Sequence, residues 1–293
     1  MKLAAVLPST DLGNDTAAVK DWAQAVEDLG FDRIVAYDHV LGAHPDHVAT
    51  LSGPYTHEDP FREPLTLFAY LAGATRRVEL MTGVLVLPQR HTALVAKHAA
   101  EVSLLSRGRL VLGVGVGWNP IEYESLGVDF AARGARLDEQ VEILRRLWSE
   151  PVVDFHGRFH RIDRAGILPR PESSIPIWFG GSSERARRRA AKSGDGFFFT
   201  AVNESALEWA KRLLELSREQ PNDASARTEP FGLAVQIHAA EGLAKCEADV
   251  RKWTAVSGTH IAVTTSPPAK GVTNTSGRLE RHISDLAECA TLV

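Results

Sequence analysis

Short apolar runs rich in Val, Ile and Phe alternate along this chain with longer segments in which apolar residues recur at helical spacing. Leu3–Leu7 reads as a strand that stops at Pro8. Val19, Trp22, Val26 and Leu29 then fall on one face of a helix, with Asn14, Asp15 or Thr16 as its cap. The same alternation predicts strands at Arg33–Tyr37, Val78–Leu87 and Arg109–Val114. It predicts helices at Pro64–Thr75, at about Thr92–Ser106, and around Leu137, Val141, Leu144 and Trp148. Beyond a change of pattern at Val152–Ile162 it resumes, with strands at Pro176–Phe179, Gly196–Thr200, Phe231–Ala239 and His260–Thr264. Helices at Glu184–Lys192, Ser205–Glu219, Leu243–Val256 and Gly277–Ala290 follow them in turn.

These make eight strand-then-helix units, the number that a closed parallel barrel requires, and the expected fold is a (β/α)8 TIM barrel. An open doubly wound sheet shares the alternation, but its GxGxxG fingerprint is missing, since Leu3–Leu7 runs into PSTDLGND. The stretch VVDFHGRFHRI centres on Gly157 with alternating residues on both sides, which predicts an inserted hairpin. No linker-like run divides the chain, so residues 1–293 are expected to form one domain.

Composition narrows the partners more than the fold. A chain that is 44% hydrophobic and 24% charged is ordinarily globular. Its net charge of -4 gives no electrostatic reason to expect nucleic acid or an anionic membrane. No run nears the ~20 apolar residues of a membrane helix, and Leu3–Leu7 is too short for a signal peptide. Cys246 and Cys289 lie in separate helical segments, outside any CxxC pattern, which fits a reduced compartment. A cytoplasmic protein with a small-molecule substrate is expected.

In such a barrel the active site lies at the C-terminal ends of the strands. The second strand ends there in Tyr37-Asp38-His39, the third carries Met81-Thr82-Gly83-Val84, and the fourth ends in the run from Gly113 to Asn119. The fifth passes through Gly180-Gly181-Ser182-Ser183 straight into a helix. Two glycines, two hydroxyls and a helix start make a phosphate cradle in outline, although a plain turn with a serine cap explains the same residues. Gly113, Gly115 and Gly117 share one face, which either leaves room for another body or packs a narrow barrel tightly. Trp118 and Asn119 follow at the rim. His39 is the catalytic candidate, because a strand-end histidine exchanges protons near neutral pH. Asp38 beside it would orient a ligand or hold backbone.

The segments YDHV, MTGVLVLPQRH, RLVLGVGVGWNPIEYESLGVDFAARGARLDE and IPIWFGGSSERARRRAAKSGDGFF resemble, in order, the signatures of luciferase-like monooxygenases. They are most similar to the branch that uses the deazaflavin coenzyme F420, over roughly residues 1–200. The resemblance implies that His39, with Asp38 beside it, lies near the reactive ring as proton donor or acceptor. It implies a non-proline cis peptide at Gly83-Val84, next to Thr82, propping the ring from behind. Val116, Gly117, Trp118 and Asn119 would line the ring, and Gly180, Gly181 and Ser182 would hold phosphate. F420 is the implied cofactor and FMN its alternative; no metal is implied. Sugar-phosphate dehydrogenases of this branch carry a carboxylate where Trp118 stands, so that chemistry is not expected here. Glu122, in the following turn, is a carboxylate that could reach in. The cluster Arg185, Arg187, Arg188, Arg189 and Lys192 reads as a solvated face, part of which would attract the oligoglutamate tail of F420.

The implied reaction is hydride transfer between C5 of the deazaflavin and a small organic molecule. An FMN-dependent monooxygenase using reduced flavin and oxygen is the rival within the family. Outside it stand a metal-dependent hydrolase built on Asp38, His39 and His238, and a barrel that binds cofactor without turnover. The loops His44–Arg62, Val152–Ile162 and Ser266–Ser276 would shape the substrate pocket. Such proteins often dimerise, so a homodimer is a further expectation.

Overall fold

A computed structural model describes residues 1–44, 46, 55–219, 229–266 and 278–293. Its strands are β1 (Lys2–Val6), β2 (Arg33–Ala36), β3 (Glu79–Thr82), β4 (Leu85–Val86), β5 (Leu110–Gly115), β6 (Val153–His156), β7 (Arg161–Ala165), β8 (Ile177–Gly180), β9 (Gly196–Phe199), β10 (Gly232–His238) and β11 (His260–Thr264). Parallel pairing runs β1–β2–β3–β5–β8–β9–β10–β11 and returns to β1. Leu80↔Leu110 joins β3 to β5, and Leu3↔Ile261 joins β1 to β11, so the sheet has no open edge. This is the expected (β/α)8 barrel. The third strand alone is interrupted: β4 resumes the pairing with β5 (Leu85↔Val114) after a step at the Gly83–Val84 peptide, which is cis.

Alternation along each strand sorts its residues between two cores. Ala4, Val6, Val35, Met81, Val111, Trp178, Phe198, Ala234 and Ala262 fill the barrel interior. Their neighbours, such as Ala5, Ile34, Leu80, Leu112, Phe197 and Ile261, face the surrounding helices. Trp178 is the bulkiest interior side chain. A Cβ on Gly196 or Gly232 would lie 2.5 or 2.2 Å from its ring, so only glycine at those strand starts lets the indole cross the barrel.

The helices follow from their caps and stripes. Of the three candidate caps before Val19, Asp15 does the work, its side chain accepting the Ala18 N–H at 2.9 Å. The helix Thr16–Asp28 buries Val19, Trp22, Ala23 and Val26. The hairpin β6–β7 is present and antiparallel. Glu139, on the helix Arg133–Ser149, accepts the Arg158 and Phe159 amides at 2.6 and 3.0 Å and meets His160 Nδ1 at 2.9 Å. His160 Nε2 lies 2.7 Å from Thr92 Oγ1 at the start of the helix Thr92–Leu105. These bonds fasten the hairpin to helices on the barrel flank. Cys246 and Cys289, so distant in sequence, are both buried free thiols, and their side chains meet where the last two helices pack. No helix among the described residues is long and apolar enough to cross a membrane.

Candidate active site

β2 delivers Asp38 and His39 to the C-terminal mouth, and their side chains part at once. Asp38 turns inward and is buried. Its Oδ1 accepts Arg90 Nη2 at 2.7 Å and its Oδ2 accepts the Val86 amide at 2.8 Å. Arg90 continues to Glu63 Oε1 at 2.9 Å, and Glu63 caps the helix Pro64–Ala74. Burial pushes the Asp38 carboxyl above its ordinary pKa against the pull of Arg90. Of its two expected roles, Asp38 takes the backbone-holding one: it ties the end of β2 to β4.

His39 faces the mouth. Its ring is surrounded by Phe61, Tyr55 and Trp118, with centroids 4.7, 5.1 and 5.8 Å away. Nδ1 lies 3.4 Å from Glu122 Oε1, and Nε2 has no hydrogen-bond partner among the described residues. Glu122 is 1% exposed, yet four donors surround it. Oε1 also accepts the Val40 and Leu41 amides at 3.2 and 3.3 Å, and Oε2 accepts Gln89 Nε2 at 2.9 Å. Burial works to raise its pKa, but His39, Gln89 and the Leu41 amide outweigh it and hold the carboxyl below its ordinary value. An ionised Glu122 assigns the Nδ1 position a proton and leaves Nε2 without a partner at the mouth. Glu122 was legible only as a carboxylate within reach. Gln89 carried no chemical signal of its own.

The floor of the mouth is a polar bar. Tyr37 Oη donates to Gln236 Oε1 at 2.5 Å, joining β2 to β10, and Tyr37 packs on the interior core. Burial pushes the Tyr37 phenol well above its usual pKa.

The glycine row proves to be packing. A Cβ on Gly113 would meet Thr82 O at 1.9 Å, one on Gly115 would meet Val84 Cγ2 at 2.5 Å, and one on Gly117 would meet Val86 Cγ1 at 2.7 Å. Gly180 likewise leaves room for Val84 Cγ1, at 2.8 Å. The third strand therefore fills the space that glycine vacates on β5 and β8. Thr82 is fully buried and donates to Gly113 O at 2.6 Å. Gly83 and Val84 are partly exposed, as are Val116, Gly117 and Trp118. Asn119 is buried: its Oδ1 accepts the Ile121 amide at 3.1 Å and caps the helix Pro120–Ser125. Asp38, Thr82, Asn119 and Gly180, all expected to touch cofactor, are thus buried in the structure.

At the end of β8 the glycine-serine turn carries the expected serine cap. Ser183 Oγ accepts the Ala186 amide at 3.2 Å and caps the helix Glu184–Ser193. Gly181, at φ +136°, and Ser182 stay exposed beside that helix start. The basic cluster is largely engaged. Arg187 lies over Trp209, Arg188 pairs with Glu184, and Arg189 pairs with Asp138. Arg185 is exposed with no ion pair among the described residues.

Tyr55 and Phe61 do bring His44–Arg62 to His39, but positions 45 and 47–54 lie outside the described residues. Ser266 donates to Asp11 Oδ2 at 2.9 Å, and the rest of Ser266–Ser276 also lies outside them. Among the described residues no group of three or more His, Cys, Asp or Glu could hold a metal ion.

A flat anionic cofactor fits what is exposed here: a ledge at Gly83-Val84, an aromatic wall at Trp118, and a phosphate-sized turn at Gly181-Ser182 on a helix start. Comparison with known proteins gives the family. An uncharacterised protein of Mycobacterium tuberculosis is 35% identical over 221 residues, 73% of this chain and 74% of its own. The F420-dependent glucose-6-phosphate dehydrogenase of Amycolatopsis mediterranei is 29% identical over 222 residues, 74% of this chain and 63% of that enzyme. The solved monooxygenase RslO1 of Streptomyces bottropensis superposes with a TM-score of 0.76 at 21% identity, covering 100% of this chain and 98% of its own. The family described as luciferase-like monooxygenase matches residues 2–287. The chain therefore belongs to the luciferase-like monooxygenase family and is an oxidoreductase.

Proposed function

We propose that this oxidoreductase uses coenzyme F420 and transfers a hydride between the cofactor and a small organic substrate. The observation that carries the proposal is His39 at the mouth of the barrel, with Nδ1 engaged by a buried carboxylate and Nε2 open. When bound, a deazaflavin supplies a C5 that gives or takes hydride and reacts poorly with oxygen. His39 Nε2 takes or returns the substrate proton that accompanies the hydride. Glu122 holds the ring and stabilises its charged form. Gly83 and Val84 provide the ledge for the ring, Val116, Gly117 and Trp118 the wall, and Gly181 with Ser182 the anion site. Trp118, Tyr55 and Phe61 make the space beside His39 aromatic, which suits an apolar substrate face. The likeness to an F420-dependent dehydrogenase supports this choice.

The likeness to a monooxygenase keeps one second reading in view, an FMN-dependent oxygenation at the same mouth. Titrating the protein with oxidised F420 and with FMN, followed by fluorescence, separates them. F420 should bind and FMN should not, whereas tight FMN binding without F420 binding would reverse the assignment. His39→Ala should then lower turnover about 10²–10⁴-fold with little change in cofactor affinity.

A further inference from the structure

A cavity of about 550 Å³ opens at the opposite end of the barrel, where β1, β2, β3, β10 and β11 begin. Its lining includes Lys2, Arg33, Glu79, Trp178 and His260, none of which the proposed reaction uses. This end of such a barrel ordinarily serves stability. Two buried side chains there nevertheless have bonding capacity that the fold leaves unused.

The first is His260, 7% exposed, whose Nε2 is buried without a hydrogen-bond partner. Its Nδ1 lies 2.7 Å from Thr259 Oγ1. That hydroxyl accepts the Leu233 amide at 2.8 Å and has one proton to give, with Leu233 O at 2.9 Å and His260 Nδ1 both in reach. Leu233 O also accepts the Thr259 amide at 2.9 Å, so either ring tautomer is served at Nδ1, and in both of them Nε2 stays without a partner. Burial, then the positive charges of Arg33 and Lys2, push the imidazole pKa down to about 2, so protonation does not fill the gap.

The second is Arg33, 4% exposed. Nε and Nη2 both reach one oxygen, Glu79 Oε2, at 2.8 and 2.6 Å, and Nη1 has only the thioether of Met81 at 3.3 Å. A guanidinium offers five N–H donors in a fork suited to an oxyanion, and a thioether is a weak acceptor. Arg33 and His260 flank the same indole, 4.9 and 5.0 Å from the Trp178 ring. An under-used cationic donor and an unpartnered imidazole nitrogen thus line one cavity with an aromatic wall.

We propose that this cavity binds a small hydroxylated carboxylate, its carboxylate on Arg33 and Lys2, its hydroxyl, which can donate or accept, bonded to His260 Nε2 and its carbon frame against Trp178 and Val111. One ligand then satisfies both groups, and because it binds only the folded chain it stabilises the barrel. The site is separate from the catalytic mouth and does not depend on which cofactor is used there.

Isothermal titration of the full chain tests the proposal with two hydroxy acids, malate and 4-hydroxybenzoate, each against its counterpart without the hydroxyl, succinate and benzoate. At least one hydroxy acid should bind with a stoichiometry of one, at least tenfold more tightly than its counterpart, and FMN or F420 should not displace it. His260→Gln should abolish that tenfold preference. Since a buried change can unfold the chain, the imidazole ¹⁵N spectrum of the unaltered protein gives a second readout. The His260 Nε2 resonance should move with the hydroxy acid and stay put with its counterpart. No saturable binding of either hydroxy acid, equal binding of the counterparts, an unmoved Nε2 resonance, or displacement by the cofactor would each overturn the proposal.

Discussion

Replacing Glu122 with Gln tests the constellation around His39 without needing the substrate. The native carboxylate takes four donors: the Val40 and Leu41 amides, His39 Nδ1 and Gln89 Nε2. A glutamine keeps the shape, and Gln89 can turn its amide to receive the new N–H, because its Oε1 is buried with no partner. The other three donors then face a neutral oxygen. A bond to a charged group contributes about 1.5–3 kcal/mol and a neutral one about 0.5–1.5. At 3.2–3.4 Å these three sit at the long end, so Glu122→Gln should cost about 2 kcal/mol in all. Glu122→Ala strands all four donors and adds a cavity, for about 4 kcal/mol. Urea denaturation at neutral pH measures both. The pH dependence supplies a second check. A carboxyl held below its ordinary value of 4.5 contributes stability that is fully present above that value and is lost as pH falls through the lower folded one. The gap between the native chain and Glu122→Gln should therefore narrow as pH drops below 4.5. A gap under about 0.5 kcal/mol at neutral pH, or one that stays constant into acid, would refute the reasoning.

Three further outcomes follow from the same geometry. Asp38→Asn leaves partly buried Arg90, still held by Glu63, facing a neutral amide, and denaturation should show a loss of about 2 kcal/mol. Gly115→Ala drives a methyl to within 2.5 Å of Val84 Cγ2; it should cost about 1–3 kcal/mol and, by displacing the ledge, weaken cofactor binding in a fluorescence titration. Ser183→Ala removes a helix cap for about 1 kcal/mol with cofactor affinity nearly unchanged. Gly181→Ala, at φ +136°, should instead weaken cofactor binding in that same titration.

The alternation of strands and helices was legible because its signal is local. A strand's apolar run and a helix's stripe are each written within about a dozen residues, and eight repeats leave closure as the natural arrangement. The interruption at Gly83-Val84 came only from the family resemblance, since nothing in the local pattern of Val78–Leu87 marks a break. The hairpin was legible from Gly157 and its flanks, but its docking on Glu139 and Thr92 was not, since those partners lie in helices elsewhere.

By itself, then, the sequence determined the units and their number, and it pointed to the strand ends as the place to look for chemistry. Tertiary structure decided what each residue there does. Asp38 and His39 are neighbours with opposite fates, one buried on Arg90 and the other open at the mouth, because successive side chains at a strand end point to opposite sides. The glycines of β5 had two meanings until Thr82, Val84 and Val86 were seen to fill their space. Glu122 reaches His39, and His260 and Arg33 both meet Trp178, only because the barrel closes. Contacts across a ring depend on every strand's register at once, and no local stretch of sequence contains that information.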